Sequence, residues 1–206
     1  MTKHAIQFEE QGHRYTVDGR WVPSVTQVLE ASGRIDLRGI PGEVLRRAAE
    51  RGTRVHQAAA LLLRGELEWS SVDESIGGYV RALDAFLRRT GFEAVPASIE
   101  RPLYCEQYDF CGTPDVEGLY RLVSPFGNSG RKVLATLDWK SGMMAAVRYQ
   151  LAAYAHQRGI CHRAAVKLNS DGTFRMEWFP PETQRHDLAV FLKDLDDTRK
   201  AGRWAA

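Results

Sequence analysis

The sequence of 206 residues has no apolar run approaching the roughly 20 residues that span a bilayer, so a helical membrane protein is not expected. Its first ten residues, MTKHAIQFEE, lack the apolar core of a signal peptide, and a cytoplasmic setting is the expectation. Cysteine is scarce: Cys105, Cys111 and Cys161 are scattered and odd in number, which favours a reducing compartment over a disulfide framework. They form no CxxC unit and there is no fourth, so neither a structural zinc nor an iron–sulfur cluster is expected. An excess of one charge is also missing. The 28 basic and 26 acidic residues leave a net charge of +2, so any contact with a polyanion must be local. Nothing resembles a P-loop, which excludes a built-in nucleotide-driven motor. No internal repeat or low-complexity tract is visible, and the longest turn-rich stretch is SPFGNSG at 124–130.

What remains is an ordinary globular composition, 44% hydrophobic and 26% charged, long enough for one domain with a substantial core. The opening, IQFEEQGHRYTVDGRWVPS, reads as a strand, a turn and another strand, with Asp18-Gly19 as the hairpin signal. Ser24 suits the cap of a short helix through VTQVLEASG. Helices are predicted from Pro41 to about Arg64, from about Val72 to Arg89, from Ala145 to Arg158 and from about Glu182 to Lys200. Strands are predicted near 94–104, 108–120, 132–140, 162–168 and 173–179. The expected fold is an α/β (α+β) domain with a central mixed sheet flanked by helices. Its expected parts are an N-terminal hairpin and short helix (1–40), a helical segment (41–90), a sheet with its helix (91–180) and a C-terminal helix (181–206).

The residues suited to chemistry cluster in the middle of the chain. In VLATLDWK (133–140), strand alternation puts Asp138 and Lys140 on one face and turns Trp139 to the other. Alone, this pair reads as a surface ion pair, yet Leu134, Leu137 and Trp139 make the run look buried, and buried charge needs a reason. Gly112-Thr113-Pro114-Asp115 reads alone as a turn. If a hairpin brings Asp115 beside Asp138, two carboxylates and an ammonium converge, which suits a hard divalent cation and control of an attacking water. His56 falls on the same side of its helix as Leu45, Ala49, Gly52 and Leu63, and is a satisfied core histidine or a metal ligand. Gln150 and Tyr154, four apart on a helix, share a face. Glu100 is an acid in a stretch that otherwise looks like strand, facing either solvent or the site. Arg38, Arg46, Arg47, Arg51, Arg54 and Arg64 crowd one segment with only Glu43 and Glu50 between them; a solvated helix face is the plainer reading.

Taken in order, RGTRVH (51–56), SIERPL (98–103), GTPD (112–115), LDWKSG (137–142) and YQLAAYAH (149–156) resemble the motifs of the PD-(D/E)xK nuclease superfamily in its RecB-like branch. VPSVTQVL (22–29) is similar to a segment of small phage-type members and of mitochondrial genome-maintenance exonucleases. The resemblance implies a restriction-endonuclease-like core. It also implies magnesium or manganese held by His56, Asp115, Asp138 and the Trp139 carbonyl, with no iron–sulfur cluster. Lys140 would handle the water, with Gln150 and Tyr154 holding the lysine or a phosphate, and Glu100 would hold a second metal or pair with a basic group. Ser24, Thr26, Arg51, Arg54, Ser141 and Arg148 are candidate contacts to the DNA backbone.

The implied function is a metal-dependent DNA nuclease, first of all an exonuclease in recombination, repair or phage DNA processing, in a bacterial or phage-infected cell. The implied partners are single- or double-stranded DNA ends, with a recombination or single-strand-binding protein or a separate helicase, and no membrane. A structure-selective or nicking endonuclease with the same site and a non-catalytic DNA-binding adaptor are the alternatives. Polarity of digestion and oligomeric state stay open.

Overall fold

The computed structural model describes residues 4–9, 14–122, 130–142, 144 and 146–202; most of the 124–130 turn lies outside them. The chain opens with three short antiparallel strands, β1 (Ile6–Glu9), β2 (Arg14–Val17) and β3 (Arg20–Val22), where the sequence suggested two. Asp18 and Gly19 both have positive φ, 51° and 81°, the turn geometry that lets β2 run directly into β3. Ser24 then caps α1 (Val25–Ala31) in a reciprocal box: its hydroxyl accepts the Gln27 amide proton while the Gln27 side chain accepts its own.

Two helices follow, α2 (Gly42–Arg64) and α3 (Glu74–Thr90), each ended by a left-handed glycine, Gly65 and Gly91. The central sheet has the order β10-β9-β8-β7-β4, from strands β4 (Glu93–Ala94), β7 (Val116–Arg121), β8 (Lys132–Lys140), β9 (His162–Leu168) and β10 (Phe174–Phe179). β8 and β9 are parallel and joined by α4 (Val147–Arg158); the other neighbours are antiparallel, so the sheet is mixed as expected. A two-stranded ribbon, β5 (Leu103–Cys105) with β6 (Phe110–Gly112), stands apart, and α5 (Gln184–Lys200) closes the chain.

Two predicted strands are divided. The segment 94–104 becomes β4, a 3-10 turn at Pro96–Ser98, and then β5. Pro96 has no amide to give a ladder, and the Ser98 hydroxyl bonds the backbone of Glu117, so the chain turns beside β7 rather than extending. The segment 108–120 divides at Thr113-Pro114 into β6 and β7, which lie in different sheets.

Helices cover both faces of the central sheet. On one, Val55, Ala59, Val80, Leu83 and Phe86 from α2 and α3 bury Leu137, Trp139, Val166 and Leu168. On the other lies α4, with Leu151 over Ala165, itself backed by α1 and α5 through Val28, Ala153 and Phe191. No helix among the described residues is long and apolar enough to cross a membrane.

The approach of α3 to the β9–β10 turn is so close that a Cβ on Gly78 would lie 1.7 Å from the Ser170 carbonyl oxygen. Alanine ordinarily favours a helix over glycine by about 1 kcal/mol. Here the collision is with backbone, so Gly78→Ala is expected to destabilise by about 1–3 kcal/mol instead. A lower urea midpoint with an unchanged slope is the outcome to look for.

Candidate metal centre

Alternation along β8 places Asp138 and Lys140 on the α4 side of the sheet and sends the Trp139 ring to the other side. There the ring packs edge-on against Phe86 at 5.6 Å and Phe92 at 6.4 Å. β7 begins at Val116, opposite Leu137, so Asp115 stands one step beyond the ladder beside Asp138. The ladder is completed by a side chain instead of a strand: the Trp139 amide donates to Asp115 Oδ2. The other carboxylate oxygen, Oδ1, lies 3.1 Å from His56 Nδ1, which the middle of α2 delivers from across the groove.

Glu100 reaches the same imidazole nitrogen at 3.5 Å. It does so from a turn rather than a strand, with φ at 50°, a left-handed conformation that is unfavourable for a side-chain-bearing residue. Its amide donates to the Asp115 carbonyl at 3.0 Å, which holds the turn against the site. A residue kept in such a conformation costs on the order of 1–3 kcal/mol, and these outliers cluster where a side chain must be aimed. His56, Glu100 and Asp115 each offer one ligand atom, all within 4.8 Å of one another. This donor set, two carboxylates and an imidazole, could hold a metal ion.

Asp138, expected among the ligands, falls outside that trio and instead holds the lysine. Lys140 Nζ donates to Asp138 Oδ1 at 3.0 Å and to Gln150 Oε1 at 3.1 Å. Asp138 Oδ2 is 2.8 Å from the same ammonium but off hydrogen-bonding geometry, and has no hydrogen-bond partner among the described residues. The Gln150 amide in turn donates to the Tyr154 hydroxyl at 3.1 Å, so one turn of α4 anchors the lysine through a chain of two bonds. Tyr154 is buried beneath Gly112, where a Cβ would come within 2.3 Å of its ring; no other residue leaves room for it.

The charges of the site oppose one another in an ordered way. Burial pushes the Asp138 carboxyl up to about 6, against the pull of Lys140. Burial alone would lower the Lys140 ammonium, but Asp138 and Asp115 outweigh it and raise it, so the lysine is charged without a cation present. Burial would likewise lower His56; the charge and hydrogen bonds of Asp115 and Glu100 lift it to about 10. Burial raises Glu100 as well, partly offset by His56.

All of these groups open onto one groove of about 990 Å³, with Thr26, Gln150 and Tyr154 also on its walls. Other expected contacts lie elsewhere. Ser24 is buried and its hydroxyl is taken by the helix cap. Arg51 stacks 5.7 Å over Tyr79, and Arg54 pairs with Asp73 at 3.2 Å. Arg148 binds the buried Asp187, which also holds the fully buried Arg163. Ser141 is half-buried just past β8 and, like Ser24, Arg51, Arg54 and Arg148, is not on the groove wall. Trp139 meets the site through its amide, which donates to Asp115. Several wall residues were not anticipated, among them Phe8, Tyr15 and Leu61, while Arg64 had been counted only within the arginine-rich segment. Arg64 was legible in principle, since Gly52, His56, Ala60 and Arg64 recur every four residues along one helical stripe. Compared with known proteins, the chain matches no family model and no curated protein.

A cation in this trio needs the His56 lone pair, so binding must displace the imidazolium proton. Manganese titrated near pH 7.5 is expected to release a proton, seen as a calorimetric heat that varies with the buffer's ionisation enthalpy, and His56→Gln should abolish that release. The same group sets a stability trend. Its folded value of about 10 exceeds its ordinary 6.5, so its contribution is full below pH 6.5 and lost as pH rises towards 10. The metal-free protein should therefore weaken over that window, and His56→Gln should flatten the trend.

Proposed function

We propose that the chain is a metal-dependent deoxyribonuclease of the PD-(D/E)xK kind, in its RecB-like branch, hydrolysing phosphodiester bonds. The observation that carries this reading is the meeting of the His56–Glu100–Asp115 trio with a lysine held by Asp138 and Gln150, in one open groove. Phosphodiester hydrolysis asks for stabilisation of charge on the phosphate, a correctly placed water and a donor near the attacking or leaving oxygen. A divalent cation bound by the trio would supply Lewis acidity to the phosphate and ease deprotonation of the attacking water.

The chain's own residues supply the rest. Lys140, cationic and with two of its three N–H donors engaged among the described residues, turns the third towards a phosphate oxygen or the water. Asp138 and Gln150 keep that ammonium from swinging away, and Tyr154 fixes the Gln150 amide. Glu100 and Asp115 position His56, whose free-protein imidazolium occupies the region a cation would take. Arg64 adds positive charge farther along the wall and suits a neighbouring phosphate.

An exonuclease acting in recombination, repair or phage DNA processing is the narrower form of the proposal. The test is cleavage of end-labelled linear DNA and of a circular single strand, with magnesium or manganese and with a chelator. Metal-dependent loss of linear DNA with the circle spared is the expected result; cutting of the circle would identify an endonuclease. Asp138→Asn and Lys140→Ala are each expected to lower the rate by about 10²–10⁴ while DNA binding survives. Full activity in both variants would sink the assignment, and absence of activity on every DNA form would favour a binding adaptor.

A further inference from the structure

Arg163 and Asp187 are both fully buried, and neither is on the groove wall. The Arg163 guanidinium, carried by β9, reaches two other parts of the chain at once. Its Nη1 donates to the backbone carbonyl of Arg148 in α4 at 2.9 Å. Its Nη2 donates to Asp187 Oδ2 in α5 at 2.9 Å and to the Thr183 hydroxyl at 2.8 Å. Asp187 Oδ1 in turn takes the Arg148 Nε at 3.0 Å. Arg163, Arg148 and Asp187 thus close a ring that joins one strand to two helices. A planar guanidinium has its donors in fixed directions, so it sets the separation of such partners more closely than an ammonium would.

Stability alone does not account for this ring. Burial pulls the Arg163 guanidinium below its ordinary value, with Asp187 opposing, and its Nε has no partner among the described residues. Apolar side chains of similar volume often match or exceed the stability of a buried ion pair. What the ring does is locate the first turn of α4. That turn has no side-chain cap, and Ala146 precedes it in a left-handed conformation with φ at 61°. One turn on, the Gln184 amide donates to the Ala152 carbonyl at 2.9 Å, so α4 is gripped twice along one stripe. Gln150 and Tyr154 each lie two residues beyond a gripped position, about 200° around the helix axis. They are the residues that hold Lys140.

The sheet is the common base for both contacts. Arg163 stands opposite Thr136 of β8, and Lys140 is four residues further along that strand, about 13 Å away. Arg163 fastens α4 to the sheet at one point, and Gln150 meets Lys140 at another. We infer that Arg163, fixed by Asp187, is a positioning residue that sets the register of α4 on the sheet so that Gln150 meets the Lys140 ammonium. Its effect on rate rests on the nuclease reading above; its effect on Gln150 does not.

The test is a double exchange, Arg163→Met with Asp187→Leu, which removes the ion pair and keeps apolar volume in its place; Arg148, partly exposed, is left to solvent. The variant should melt close to wild type, while kcat on DNA falls about 10- to 100-fold with KM little changed, the effect of a misplaced group. In a Gln150→Ala background, which already lacks the contact, the exchange should lower kcat no further. A pair that serves the fold alone would multiply the two losses, or lower nothing once the fold is intact. Arg163→Lys keeps a cation for Asp187 but has no fork for the Arg148 carbonyl as well, and it should show the same non-additivity if the double exchange does not fold. The Gln150 side-chain amide signal in a nitrogen–proton correlation spectrum, identified by its loss in Gln150→Ala, reads the register without cleavage and should move in both variants. Unchanged kcat with an unmoved amide signal in a folded variant, or losses that multiply, overturn the inference and leave the nuclease standing. If the wild-type chain cuts no DNA form, the nuclease reading fails, and the amide signal alone decides whether Arg163 places Gln150.

Discussion

Asp115 ties together three elements at one point. Its Oδ2 takes the amide of Trp139 at the end of β8, its Oδ1 faces His56 of α2, and its backbone carbonyl takes the amide of Glu100. A carboxylate this deeply buried is tolerated only because each oxygen has a partner. The strand, the helix and the turn are consequently spaced by the dimensions of one side chain. Replacing it would leave a buried amide and an imidazolium unmatched, which is costlier than the loss of any single bond.

Around that anchor the site is close to balanced in charge without a cation. His56 and Lys140, both held cationic by their neighbours, face the carboxyl groups of Asp115, Glu100 and Asp138. The two cations do different work. The proton on His56 is exchangeable for a metal ion, because the imidazole lone pair is itself a ligand. The ammonium of Lys140 has no such alternative and is fastened from both sides by Asp138 and Gln150. The charge of Asp138 and Asp115 is what keeps Lys140 protonated against its burial.

What could be read in the sequence was whatever depends on short spacings. Asp138 and Lys140 share a face because strands alternate, and Gln150 and Tyr154 share one because helices return every four residues; both expectations appear in the structure. The helices and the outer strands could be placed for the same reason. Glu100 was beyond that logic. Its direction follows from a left-handed backbone fixed by Ser98 and by the carbonyl of Asp115, partners that lie a turn and a strand away. The arginines of α2 were read more plainly as a solvated helix face, and there Arg46 and Arg47 pair with Glu43 and Glu50 while Arg54 pairs with Asp73, nineteen residues on, so much of that charge is matched. Among the described residues the arginine on the groove wall is Arg64, at the helix end, where spacing from His56 marks it.

The ligand and lysine groups are drawn from α2, from the Glu100 turn, from the two sides of the β7–β8 pair and from α4, which together span residues 56 to 154. The His56–Glu100–Asp115 trio and its lysine alone reach from residue 56 to residue 140. Closing loops of that length is entropically expensive and comes late in folding. During synthesis the emerging chain therefore has scattered acids and a distant histidine, and the lysine gains its Gln150 anchor only once α4 has followed. The same long-range wiring that makes the site hard to read from the sequence makes it an all-or-none property of the finished fold.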